Sequence, residues 1–268
     1  MASGSPPIRH WVLNLIAVYI ITLRELKRFL RQKSRIIGSL ARPLFWLLVV
    51  GSGLSQIIRT QGGVSYMQFI LPGILGLTIL FSSMFSSLSI IWDREFGFLK
   101  EILVAPISRL AIVLGKVIGG TIISTIQGVL IMALIPFLRI PLELSQVIAL
   151  LLLAVIISFS LSSFGVLIAS LMRSLESFNL IINFLIMPMF FVSGALYPIK
   201  LLPPPIHIMA SFNPLSYGID AFKNVLLREA GNSPLAPEFP FYQDILFILV
   251  FSGIMLVVAT LVFSWKKD

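Results

Sequence analysis

The chain has 268 residues, of which 57% are hydrophobic and only 12% charged, with a mean hydropathy of +1.01 and a formal net charge of +9. A soluble domain of this length carries roughly twice that charge fraction, so the composition excludes one. The lack of cysteine excludes disulfides, thiolate metal sites and cysteine nucleophiles. The positive balance is accounted for by topology and anionic lipid headgroups, and gives no ground for a nucleic-acid partner.

Apolar runs at 37–58, 66–91, 112–138, 147–171, 178–199 and 245–264 each reach the roughly 20 residues needed to cross a bilayer. They lack the ten-residue alternating pattern of barrel strands, and isolated spans must satisfy their backbone internally. The expected fold is therefore an all-α membrane protein with six transmembrane helices. An even number of spans puts both termini on one side. Counting Arg42 and Lys116, which stand at the inner ends of their runs, fifteen of the 20 Lys and Arg fall on that side, which predicts cytoplasmic termini in an inner (plasma) membrane.

In chain order, the N-terminal stretch lacks the pattern of a cleaved signal peptide. Its apolar run 11–23 contains Asn14, no small-residue cleavage site follows, and a basic segment comes next. At that length it is expected to lie in the interface. Arg24, Lys27, Arg28, Arg31 and Arg35 then recur at helical spacing on one face, with Leu23, Leu26, Leu30 and, further round, Phe29 on the other. Such a helix is either a surface anchor or, with Glu25 among its charges, part of a partner's docking site. Arg42-Pro43 opens the regular part of the first span.

The second span carries Phe81, Ser82, Phe85 and Ser86, with Ser83 and Ser87 forming a neighbouring hydroxyl stripe. Small polar residues of this kind either permit close helix packing or line a substrate path. The same alternative holds for Asn179 and Asn183 on the fifth span, since an amide in a membrane must face protein or water. The charged loop that follows span two, WDREFGFLKEILVAPISRL, predicts a short helix with Asp93 as N-cap and Pro106 as terminator. Leu99, Ile102 and Leu103 give it an apolar face, while Arg94, Glu95, Lys100 and Glu101 are charged. A helix lying flat on an anionic leaflet rarely carries three acids in nine residues, so this one is expected to dock a protein.

Residues 200–244 form the long external segment. Pro203, Pro204 and Pro205 forbid a continuous helix there, and Asn213-Pro214 reads as N-cap plus first-turn proline of a second short helix through Tyr217, Asp220, Phe222 and Arg228. An apolar but broken segment beside a span predicts re-entrant helices at the outer mouth, with an ordinary interfacial loop as the alternative. The chain contains no G-x-x-x-x-G-K-[ST], no H-E-x-x-H and no G-x-S-x-G, and His10 and His207 are its only histidines. It therefore owns neither a phosphate cradle nor the parts of a hydrolase. No inner-span carboxylate is expected, since Glu176 sits at a membrane edge and Asp220 in the outer loop, which argues against ion coupling.

Three stretches carry a resemblance: RELKRFLRQKSR at 24–35, REFGFLKEILVAPISR at 94–109 with GK at 115–116, and FVSGALYPI with FNPLSYGIDAFK within 191–223. Together they resemble the type-2 family of ABC exporter permeases, in the branch of daunorubicin-exporter-like subunits, along essentially the whole chain. Phe98 stands where that family usually has threonine, and Lys223 where arginine is commoner. The resemblance implies a homodimer of permeases bound to two copies of a separate ABC ATPase. ATP and Mg would sit on that partner, and this chain would itself be no enzyme. Residues 1–35 would be the tail and interface helix, with Arg24, Glu25, Lys27, Arg28 and Arg31 as its docking residues, and 36–268 the permease domain. A coupling helix at 93–104 would comprise Asp93, Arg94, Glu95, Phe96, Gly97, Phe98, Leu99, Lys100 and Glu101. Spans two and five would line the path, with Phe81, Ser82, Phe85, Ser86, Asn179, Asn183 and Phe190. An outer gate at 200–230 would be built on Gly194, Tyr197, Pro198, Asn213, Pro214, Tyr217 and Asp220.

The phenylalanines, including Phe191, point to an amphipathic, lipid-like or drug-like cargo. Two other readings are weighed against this one. Export of a lipid-linked polysaccharide or teichoic acid would favour a channel lined by Trp and Tyr, whereas the pore candidates carry serine. An intramembrane lipid-modifying enzyme would need paired carboxylates or a metal site.

Overall fold

The computed structural model describes residues 7–51, 53, 66–138, 142–227 and 235–265. Among these residues every regular element is helical: α1 (Pro7–Arg31), α2 (Lys33–Phe45, continuing as a wider π turn to Gly51), α3 (Tyr66–Glu95), α4 (Phe98–Val104), α5 (Arg109–Met132), α6 (Leu144–Leu171), α7 (Leu175–Val192, with a π turn at Ile182–Ile186), α8 (Pro204–Ser211), α9 (Pro214–Leu226) and α10 (Phe241–Trp265). Five of them, α3, α5, α6, α7 and α10, are long and apolar enough to cross a membrane. They coincide with five of the six predicted runs. The first run, 37–58, is helical as far as Gly51 and then leaves the described residues. Arg59, Arg139, Arg228, Lys266 and Lys267, which carry part of the charge-bias reasoning, also lie outside them.

Helix α3 is the hub. In its most apolar stretch 89% of residues are buried, against 17% in α10, and it packs on α5, α6, α9 and α2. Lipid tails are as apolar as leucine, so spans associate by close packing of small residues and by hydrogen bonds. Ser83 Oγ donates to Ser124 Oγ at 2.9 Å, and Ser162 Oγ reaches Ser83 Oγ at 3.3 Å, joining α3, α5 and α6. A β-carbon on Gly120 would stand 2.9 Å from Ser162 Oγ and 3.5 Å from Ser86 Oγ. One serine stripe of α3 is therefore packing surface.

Helix α1 joins the 11–23 run and the basic segment in one 25-residue rod. It ends at Arg31, so Arg35 belongs to α2 and not to this helix. Its buried line is Ala17, Ile21, Glu25 and Phe29, while Leu30 is exposed. The apolar stripe read from the sequence is thus rotated, because a charged residue, Glu25, lies on the buried side. Glycines on α5 accept this rod at short range. A β-carbon on Gly115 would meet Ile21 Cβ at 2.8 Å, and one on Gly119 would meet Glu25 Cβ at 2.9 Å.

Candidate functional site: a buried ion cluster beneath a short exposed helix

At one end of the bundle α1, the last turn of α3, α4 and the first turns of α5 converge. Lys116, on α5, is buried. Its ammonium donates to Glu25 Oε1 at 2.6 Å, to Asp93 Oδ2 at 2.5 Å and to Ser89 Oγ at 3.1 Å. Arg24 pairs with both carboxylates, and Arg28 lies 3.9 Å from Asp93. Two buried carboxylates are thus held among three cations drawn from two helices. Burial alone would raise the Glu25 carboxyl. The Lys116 ammonium, through charge and hydrogen bond, together with Arg24 and the Ser89 hydroxyl, outweighs that and holds it below the usual carboxylate range.

This arrangement corrects the expected role of Asp93. It caps no helix: it lies inside α3, its carboxylate occupied by Lys116, Arg24 and Arg28. It is also a buried acid within a helix long enough to span, as is Asp244 near the start of α10. The short helix is α4, Phe98–Val104, narrower than the expected 93–104. It begins after Gly97, whose φ of 78° is a left-handed conformation that glycine adopts without cost. It ends at Ala105, which is extended, as the residue before a proline prefers.

Helix α4 buries Leu99 and half-buries Ile102 and Leu103, while Phe98, Lys100, Glu101 and Val104 are exposed, as is Phe96 just before it. The Arg24 guanidinium sits 4.4 Å over the Phe98 ring, and that of Arg28 sits 4.3 Å over Trp92. Phe98, the residue that departs from the usual threonine, is thereby the cation–π seat that ties α4 to α1. Asn14 Oδ1 accepts from the Ser108 N–H at 2.8 Å, which gives a purpose to the lone amide in the first apolar run. Arg94 reaches away from the cluster, donating to Ser170 O at 3.2 Å and to Met172 O at the end of α6. Glu95, Lys27 and Arg31 are outside the cluster; Lys27 and Arg31 line an open cleft with Arg24 and Arg28.

At the other end of α3, α9 is tied down by polar contacts. Asn213 Oδ1 accepts from Leu215 N at 3.0 Å, capping α9, and its amide donates to Met189 O at 2.6 Å. Pro214 occupies the first turn. The Asp220 carboxylate accepts the N–H groups of Glu238 and Phe239 at 2.8–3.0 Å. Lys223, fully buried, donates to Gly194 O at 2.8 Å and lies 4.5 Å over the Phe69 ring. Asn224 bridges Phe239 O and Asp244. Tyr217 stacks on Phe247 with ring centres 3.9 Å apart, and its hydroxyl donates to Ser211 O. Pro198 is buried at the start of a single 3₁₀ turn, and Tyr197 donates to Phe191 O at 2.5 Å.

Of the path residues, Phe81, Ser82 and Phe85 line one cavity of about 370 Å³. Ser86 packs toward Gly120, and Phe190 is buried edge-on against Trp46. Asn179 and Asn183 lie on an exposed face of α7 and do not line that cavity. Sequence reasoning gave no individual role to Lys116, Ser89, Trp92, Glu238 or Asn224. The Gly-Lys pair at 115–116 was the one available signal, and it carried no partner.

Five helices of spanning length among the described residues, with a buried ion cluster at one end beneath a short exposed helix, define a polytopic membrane protein. Residues 16–227 match the model of the ABC-2 type transporter family. The chain is 31% identical over 211 residues to the transport permease ycf38 of Cyanophora paradoxa, covering 77% of this chain and 72% of that one. It is 26% identical to the inner membrane transport permease YadH of Escherichia coli K12, covering 79% and 83%, and 28% identical to nodulation protein J of Rhizobium leguminosarum bv. trifolii, covering 72% and 74%. The chain belongs to the ABC-2 type transporter family and is an integral membrane transport permease.

Proposed function

We propose that this permease is the membrane half of an ATP-driven exporter, carrying an amphipathic, lipid-like or drug-like cargo outward across an inner membrane with both termini cytoplasmic. It acts as a homodimer on two copies of a separate ABC ATPase, which bind ATP and Mg. Helix α4 is the coupling helix, α1 the interface helix, α3 and α7 flank the path, and the segment from Gly194 to Asp220 is the outer gate. The observation that carries this reading is the mounting of α4. Its exposed face offers Lys100 and Glu101 to a partner, while Phe98 seats Arg24 of α1, which pairs with Asp93 of α3, itself bonded to the buried Lys116 of α5. A push on such a helix moves three longer ones together, and coupling requires that kind of shared, two-state element.

Glu101→Lys is expected to leave membrane insertion intact and to uncouple transport from ATP hydrolysis. Glu101 is exposed and makes no contact in the ion cluster, so the reversal strikes the docking face alone. Cargo flux and ATP turnover in reconstituted vesicles provide the readout. Wild-type flux and wild-type ATPase affinity in this variant would contradict the docking role.

A further inference from the structure

The cavity flanked by α2, α3 and α5 holds two polar side chains that the packing leaves unused. Ser82 and Gln127 are almost wholly buried, and neither Ser82 Oγ nor Gln127 Oε1 finds a hydrogen-bond partner among the described residues. Both residues line the cavity, Ser82 near the middle of α3 and Gln127 on α5, with their oxygens just beneath its wall. Leaving such atoms unpaired in an apolar setting is costly, a cost that a polar group entering the cavity relieves. The remaining wall is apolar, with Phe81, Phe85 and Leu88, and its far end is Trp92, on which Arg28 is stacked.

Ser82 and Trp92 are ten residues apart on one helix, about 15 Å at the α-helical rise, on the order of a dozen methylene groups. The site thus offers an apolar run, a neutral acceptor and a hydroxyl part-way along it, and at its Trp92 end the neighbouring cationic cleft that Arg28 lines. We infer that the cavity is a binding site for a long-chain amphiphile that rests its polar head by Arg28 and Trp92 and carries an uncharged hydroxyl part-way along its chain. With a small rotation of each side chain toward the cavity, the hydroxyl donates to Gln127 Oε1 and accepts from Ser82. A charged group at that depth is disfavoured by the surrounding span, and an unsubstituted chain would leave both atoms unsatisfied. The site shares Phe81, Ser82 and Phe85 with the proposed cargo path and deepens that reading. Binding itself needs no ATPase, so failure of the site and failure of the exporter reading are separable.

Native mass spectrometry of the purified permease in nonionic detergent tests this with three probes: stearate hydroxylated at mid-chain, stearate, and the methyl ether of the first. The hydroxylated acid is expected to bind about tenfold more tightly than either control, one hydrogen bond's worth in an apolar site. In Gln127→Leu the preference is expected to vanish, with the three probes binding alike. Ser82→Ala, a smaller change, is expected to reduce it and carries the test should Gln127→Leu fold poorly. Equal binding of the three probes to the wild-type chain, or an undiminished preference in both variants, would overturn the inference. Binding with the expected preference but no cargo flux when the ATPase is supplied would leave the site in place and count against the exporter.

Discussion

Lys116→Met is expected to loosen the junction end of the molecule more than any other single substitution. The ammonium is the one cation in the cluster that is itself buried, and it contacts both Glu25 and Asp93. Removing it strands two carboxylates that are nearly out of reach of solvent, with only the part-exposed Arg24 and Arg28 left to face them. Breaking a buried ion pair from one side costs about 3–5 kcal/mol, because the surviving charge keeps its desolvation penalty. For a chain of this size that corresponds to a fall of on the order of 10 °C in the thermal midpoint. It should also speed tryptic cleavage at Arg31, where α1 ends. Adding Glu25→Gln to the Lys116→Met background is expected to restore part of the loss by removing one stranded charge. A midpoint unchanged in the single variant, or a double variant worse than the single, would show that the cluster is not what holds α1 to α5.

Gly73→Ala is expected to disrupt the opposite end. A β-carbon there would stand 2.4 Å from Ala195 O and 2.8 Å from Ala195 Cα, main-chain atoms that cannot swing aside. The strand of chain that must yield begins at Gly194, held left-handed at a φ of 75°. Its carbonyls accept from Lys223 at Gly194 and from Tyr66 at Leu196. Overpacking of this kind costs about 1–3 kcal/mol, and displacing Gly194 also takes the acceptor from a buried ammonium. Faster proteolysis within 194–204 and a raised passive leak in vesicles are the expected results. Gly253→Ala, where a β-carbon meets nothing within 4 Å, serves as the control. Equal protease sensitivity and equal leak in the two variants would contradict the assignment of this segment as a packed gate.

Hydropathy made five spanning helices legible, because an apolar run of bilayer length carries its own evidence. The Asn213-Pro214 cap was legible for a similar reason, being local chemistry between residues two apart. The ion cluster was not. Its contacts join positions 91, 69 and 23 residues apart, and nothing in a helical period says which distant charge will meet Asp93. Taken alone, an acid before a glycine and an apolar run reads as a cap, and only Lys116 and the arginines of α1 reveal it as a buried partner. The serine stripes were ambiguous in the same way. Spacing placed Ser82 and Ser83 on adjacent faces, but only packing shows that Ser83 bonds to Ser124 while Ser82 lines a cavity. The buried line of α1 departs from the hydrophobicity pattern because an ion-paired glutamate, Glu25, occupies a core position that the pattern assigns to leucine.

The absence of cysteine makes the central claim directly testable, since Glu101→Cys introduces a unique thiol at the exposed face of α4. With the candidate ATPase co-expressed, a short bifunctional reagent carrying a maleimide is expected to join that thiol to the ATPase in membranes. It should give no such adduct from Leu152→Cys on the exposed face of α6. An α4 thiol that never captures the ATPase, and reacts instead with a lipid-soluble maleimide as readily as the one at position 152, would contradict the account.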